Sequence, residues 1–177
     1  MHRVNSSMID DAARTRFQTL LAQHQGIVLK VAYSYCWNDA DRDDLAQEIC
    51  TQLWRSFASY DESRTFSTWM YRVALNVAIS QVRRANSGNV ATLAIDGDEA
   101  IQIAAPNVPE PDERIAELSR FIEQLDPLNR ALLLLYLEER SYREIAEVLG
   151  ITETNVATKI NRLKQRIRQE MTVTDAH

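Results

Sequence analysis

Apolar residues in the N-terminal half recur three and four positions apart, the period of an α-helix and not of a strand. Phe17, Leu20 and Leu21 begin the series, and Ile27, Val28, Val31, Ala32 and Tyr35 continue it. Leu45, Ile49, Leu53 and Phe57 recur every four residues, with Ala46, Cys50 and Trp54 beside them. That spacing predicts an amphipathic helix with one broad apolar face. A polar break, Ser59-Tyr60-Asp61-Glu62-Ser63-Arg64, precedes a long helix predicted from Thr65 to Arg84. Phe66, Trp69, Met70, Val73, Ala74 and Val77 lie on one side of it.

The C-terminal part is punctuated by capping residues. Asp126-Pro127 reads as an N-cap followed by a first-turn proline, opening a helix through Leu137. Ser141-Tyr142-Arg143-Glu144 has the spacing of a capping box, and Gly150 suits a left-handed C-cap. Thr152 caps a last helix predicted to about Glu170. Helix, tight glycine turn, helix is the helix-turn-helix pattern. Ala146 lets the two helices cross closely, and Ile145, Leu149, Ile151, Val156 and Ile160 form the small core between them. The expected fold class is all-α.

Composition adds a division. Three of the four prolines, Pro106, Pro109 and Pro111, fall together with Gly88 and Gly97 in a stretch without helical period. It is read as a flexible linker over 86–111, between an N-terminal helical domain over 10–85 and a C-terminal one over 112–171. Charge sharpens this. The 177 residues carry 20 Lys+Arg against 25 Asp+Glu, a net charge of -5. Residues 85–113 hold six carboxylates and no basic residue, whereas 1–84 come to +1 and 114–177 to zero. Acidity therefore belongs to the linker and does not argue against nucleic-acid binding by the domains.

Several classes are excluded. No glycine-rich phosphate loop is present. Cys36 and Cys50 lack metal-ligand spacing and read as small buried residues in a reducing compartment, and His2, His24 and His177 are scattered. No metal, cofactor or catalytic constellation is expected, and the chain is read as non-enzymatic. With no signal-peptide core and no run of roughly 18 apolar residues, it is expected to be cytoplasmic, without membrane insertion. The short tail after Met171 argues against a large fused sensor domain.

Three constellations carry chemistry. From Val156 to Arg168 there are five basic residues and no acidic one, beside the polar series Thr152, Glu153, Thr154, Asn155, Thr158 and Lys159. Polar residues at the start of a second helix can read base edges, while cations neutralise phosphates. From Ser63 to Ile95, Arg64, Arg72, Arg83 and Arg84 interleave with Phe66, Trp69 and Tyr71 and no acid intervenes. Cations with aromatic faces suit single-stranded nucleic acid, although the residues alone fit Phe66 and Trp69 better as core. Asp41-Arg42-Asp43-Asp44-Leu45-Ala46-Gln47-Glu48 is either a docking surface or a solvated helix start.

Together these motifs resemble the bacterial sigma factors of the extracytoplasmic-function (ECF) group. Residues 41–48 with Leu53-Trp54, and Phe66 to Asn76 with Arg83-Arg84, are similar to conserved region 2; residues 114–171 resemble region 4. The resemblance implies docking on RNA polymerase core, at the beta-prime clamp through Asp41, Asp44, Gln47 and Glu48, and at the beta flap. It implies promoter DNA contacts at the minus-ten element by Tyr60, Arg64, Trp69, Arg72, Asn76, Arg83 and Arg84. At the minus-thirty-five element it implies Thr152, Glu153, Thr154, Asn155, Thr158, Lys159, Arg162 and Arg166. It implies restraint by an anti-sigma factor, and a linker whose carboxylates mimic RNA in the polymerase exit path. A stand-alone helix-turn-helix regulator is the alternative.

Overall fold

The computed structural model describes residues 4–87 and 120–174, with side chains over 11–87 and 120–170. The expected linker, including the carboxylates assigned to RNA mimicry, lies outside the described residues beyond Ser87. Every regular element among the described residues is helical. Three long helices form the N-terminal part: α1 (Val4–Tyr35), α2 (Asp39–Ser56) and α3 (Phe66–Asn86). A short 3-10 turn, Phe57–Ser59, links α2 to the loop before α3. The C-terminal part contains helical residues 120–124, then α4 (Pro127–Leu137), α5 (Tyr142–Leu149) and α6 (Glu153–Thr174).

The two apolar series at the start of the chain form one helix. Phe17, Leu21, Val28, Val31 and Tyr35 are buried along one side of α1. His24 falls in the same stripe, and its ring lies 5.5 Å from that of Phe66. Gly26 does not interrupt α1; it is exposed, and an added Cβ would meet nothing within 4 Å. An exposed glycine inside a helix costs about 0.5–1 kcal/mol relative to alanine. Gly26→Ala should therefore raise stability by about that amount in chemical denaturation, with no loss of activity.

α2 buries Leu45, Ile49, Cys50 and Leu53 against α1 and α3. Asn38 caps its start, accepting from the Asp41 amide at 2.8 Å. The early carboxylates Asp39 and Asp41 then lie at the positive end of the helix dipole. Cys36 and Cys50 are free and buried, and burial pushes the Cys50 thiol up to about 11. Both sulfurs pack as core atoms.

The capping signals in the C-terminal part act as read. The Asp126 side chain accepts from the amides of Leu128 and Asn129, with Pro127 in the first turn of α4. Ser141 and Glu144 form the reciprocal capping box of α5. The Ser141 amide and hydroxyl hold the Glu144 carboxyl below its usual range. Gly150 ends α5 at φ 67°, in the left-handed region. Thr152 accepts from the Asn155 amide to start α6. Ile145, Ala146, Val156, Ile160 and Leu163 are buried where α5, α6 and α4 meet.

The two parts pack on each other, α3 against α5 and α4, and α1 against α4. Tyr35 donates its hydroxyl to the Pro127 carbonyl at 2.6 Å. Arg130, only 7% exposed, caps the helical residues 120–124 by donating to the carbonyls of Ile122, Glu123 and Leu125. Its guanidinium also lies over the rings of Tyr35 and Trp37.

Candidate nucleic-acid interface

The loop before α3 is held by local bonds. Tyr60 donates its hydroxyl to the Arg64 carbonyl at 2.7 Å, and Asp61 accepts from the Ser63 amide at 2.9 Å. That amide and the neighbouring hydroxyl hold the Asp61 carboxyl below its usual range. These two bonds brace the loop at the mouth of α3.

Behind it sits an aromatic cluster. Phe57 lies 5.1 Å from Phe17, 6.2 Å from Tyr60 and 6.3 Å from Trp69. Trp69 lies 5.1 Å from Tyr60 and 5.2 Å from Phe66. Phe66 and Trp69 divide. Phe66 is buried, as the core reading of this stretch expected, whereas Trp69 is half-buried and lines a surface cleft.

That cleft, about 380 Å³, brings together Arg64, Trp69, Arg72 and Asn76, four of the seven residues expected at the minus-ten element. The helix explains their order: Trp69, Arg72 and Asn76 are three and four residues apart and share one face of α3. Tyr60 borders the cleft through Trp69. Arg83 and Arg84 are exposed in the last turn of α3 and do not line it. Their charges lie further along the helix. Ser56, Ser59, Asp61, Thr68 and Val73 complete the walls, together with Glu147 from α5. Glu147 lies inside the helix-turn-helix motif, and no local spacing connects it to residue 64.

On α6, Thr152, Glu153, Thr154, Asn155 and Thr158 are exposed around the helix start, and Lys159 is half-buried. The basic series does not form one continuous strip. At about 100° per residue, Arg162 and Arg166 both lie within about 20° of Asn155 and share its exposed face. Lys164 lies on the opposite flank of the helix and is half-buried. The Lys164 ammonium lies over the Tyr136 ring and the Arg166 guanidinium over the Phe121 ring. Arg166 is also within 3.7 Å of Glu170. Arg162 is thus the basic residue best placed beside the polar reading positions.

On α2, Asp41, Asp44 and Gln47 are exposed and Glu48 is half-buried. Trp54, placed by periodicity beside the apolar face, is 37% exposed, its ring 5.2 Å from Phe17.

Residues 20–88 match the Sigma-70 region 2 family, and residues 115–167 match the Sigma-70, region 4 family. The chain is 28% identical to the ECF RNA polymerase sigma factor SigW of Bacillus subtilis, over 88% of both chains. It belongs to the ECF RNA polymerase sigma factors. The family is non-enzymatic, and membership removes the reading of a stand-alone helix-turn-helix regulator. Identity to SigE of Mycolicibacterium smegmatis is 33%, over 90% of this sigma factor and 63% of that relative. The sigma factor CnrH, solved in complex with the cytosolic domain of CnrY, shares the fold at a TM-score of 0.63. That match covers 94% of each chain at 22% identity. Among the described residues, no helix of this sigma factor is long and apolar enough to cross a membrane.

Proposed function

We propose that this sigma factor directs RNA polymerase to a restricted set of promoters, acting in the cytoplasm through two domains over 10–85 and 112–171. The observation that carries this reading is the convergence of Arg64, Trp69, Arg72 and Asn76 on one cleft in a chain of the ECF family. An aromatic wall with cationic and amide groups suits a base drawn out of the duplex at the minus-ten element, with its backbone on the arginines. Tyr60 would hold the loop in shape, and Arg83 and Arg84 would extend the charge along the strand.

The outward face of α6 would read the minus-thirty-five element as duplex. Thr152, Glu153, Thr154, Asn155, Thr158 and Lys159 face the base edges in this reading, and Arg162 and Arg166 the phosphates. The exposed face of α2, with Asp41, Asp44, Gln47, Glu48 and Trp54, would dock on the beta-prime clamp of polymerase core. The C-terminal domain would meet the beta flap. Regulation by an anti-sigma factor is supported by a second solved relative, RpoE of Bartonella quintana in complex with the anti-sigma factor NepR, at a TM-score of 0.69 and 17% identity.

The test is transcription in vitro by core polymerase, with and without this protein, on genomic fragments. New start sites are expected only with the protein; their absence with a folded protein overturns the reading. Arg162→Ala should weaken duplex binding about uniformly across sequences and lower the salt slope by about one unit.

A further inference from the structure

The cleft that we assign to the minus-ten element is not open on all sides. Its rim includes Glu147 of α5, whose carboxylate accepts from Arg64 Nη1 at 2.7 Å. A carboxylate bound there takes the position in which a guanidinium would otherwise hold a backbone phosphate. The neighbouring hollow between Ser63, Arg64, Thr65 and Thr68 is likewise bounded on one side by Arg143 and Glu147. α5 thus sits over the nucleic-acid side of α3.

Further polar ties hold it there. Lys30 of α1 pairs with Glu138 at 2.5 Å, and Tyr71 of α3 donates to the same carboxylate at 3.2 Å. Arg140 donates to Ser67 at 3.3 Å, and its guanidinium lies over the Tyr71 ring. These bonds cluster where α4 ends and α5 begins. Ion pairs that are partly exposed, as these are, are weak enough singly to be exchanged for water or for a partner.

Distance makes the arrangement incompatible with promoter binding. The minus-ten and minus-thirty-five elements lie about 25 base pairs apart, roughly 85 Å along B-form DNA at about 3.4 Å per step. From Glu147 to Glu153, where α6 starts, the chain spans at most about 22 Å even fully extended. With Glu147 bound to Arg64, the two DNA-reading surfaces cannot reach both elements.

We propose that this packed arrangement is a self-inhibited resting state, latched by Glu147 on Arg64 and by Glu138 on Lys30 and Tyr71. Opening the latch exposes the cleft and lets the domains move to promoter spacing. Binding of polymerase core or DNA then includes the cost of opening, so the free protein holds single-stranded DNA more weakly than its cleft alone would. The proposal rests on the cleft being the minus-ten site.

The test uses the full chain without polymerase, with two readouts: radius of gyration by small-angle scattering, and binding of a fluorescent random-sequence single-stranded 20-mer. Lys30 is outside the DNA-binding set, and Lys30→Glu makes the protein more negative. Plain electrostatics would weaken DNA binding; release of the latch should strengthen it about fivefold and enlarge the particle. Lys30→Glu with Glu138→Lys should restore the compact, weaker-binding form. Glu147→Gln, a conservative change at the second tie, should also enlarge the particle and strengthen binding. A wild-type particle already as extended as the variants, or single variants with unchanged size, overturns the latch. Expansion of the variants without DNA binding in any of them leaves the latch standing and overturns the cleft assignment instead.

Discussion

Trp69→Ala should lower promoter opening by about 10- to 100-fold, while α6 still binds minus-thirty-five duplex at wild-type strength. Stacking of a base on an aromatic side chain is worth about 1–3 kcal/mol by alanine substitution. Trp69 is the aromatic ring that lines the cleft itself, with Arg64, Arg72 and Asn76 around it. Permanganate reactivity of unpaired thymines, with core polymerase present, measures the opening. The ring also packs on Tyr60 and Phe66, so its removal costs some stability. Trp69→Phe separates the two effects. It keeps a stacking face and should retain most opening, and a thermal melt beside each assay shows how much of the loss is unfolding. Wild-type opening by a folded Trp69→Ala protein would place base capture elsewhere.

Arg130→Met should be the most destabilising of these changes, lowering stability by about 3 kcal/mol. The side chain is of similar length, so the loss is one of hydrogen bonds rather than of volume. Three carbonyls, of Ile122, Glu123 and Leu125, lose their donor at the end of a helical segment. The positive charge that faces those carbonyls, favourable at a helix C-terminus, goes with it. The cation–π contacts with Tyr35 and Trp37 are lost as well. The melting transition of the C-terminal helices should fall by more than about 10 °C, a shift expected for a small domain. Arg130→Lys keeps the charge but cannot span three carbonyls, and should recover only part of the loss. A melt within a degree or two of wild type would show that water replaces the guanidinium at these carbonyls.

Both predictions concern residues whose roles differ in how far they can be read along the chain. The ends of α4, α5 and α6 are legible because a cap depends on residues two or three positions away. Asp126 with Leu128 and Asn129, Ser141 with Glu144, and Thr152 with Asn155 are all of this kind. The same is true of Gly150, whose positive φ needs no distant partner. Charge by segment, the 3.6-residue period and the helix-turn-helix follow from equally local rules, and with the motif order they suffice to indicate the family. Arg130 was not legible at all. It is a polar residue in an apolar helix, and nothing near it in sequence says that carbonyls five to eight positions earlier turn back on it.

Tertiary structure alone decided which side chains meet. It parted Phe66 from Trp69, one into the core and one to the cleft, although periodicity sets both on the same side of α3. It seated two members of the basic run of α6, Lys164 and Arg166, on the rings of Tyr136 and Phe121. It brought Glu147 to Arg64 across 83 positions and Glu138 to Lys30 across 108. Spacing along a chain specifies the faces of a helix because backbone geometry repeats every few residues. Which face meets which depends on how whole helices pack, and that is a property of shape and volume carried by no short stretch of sequence.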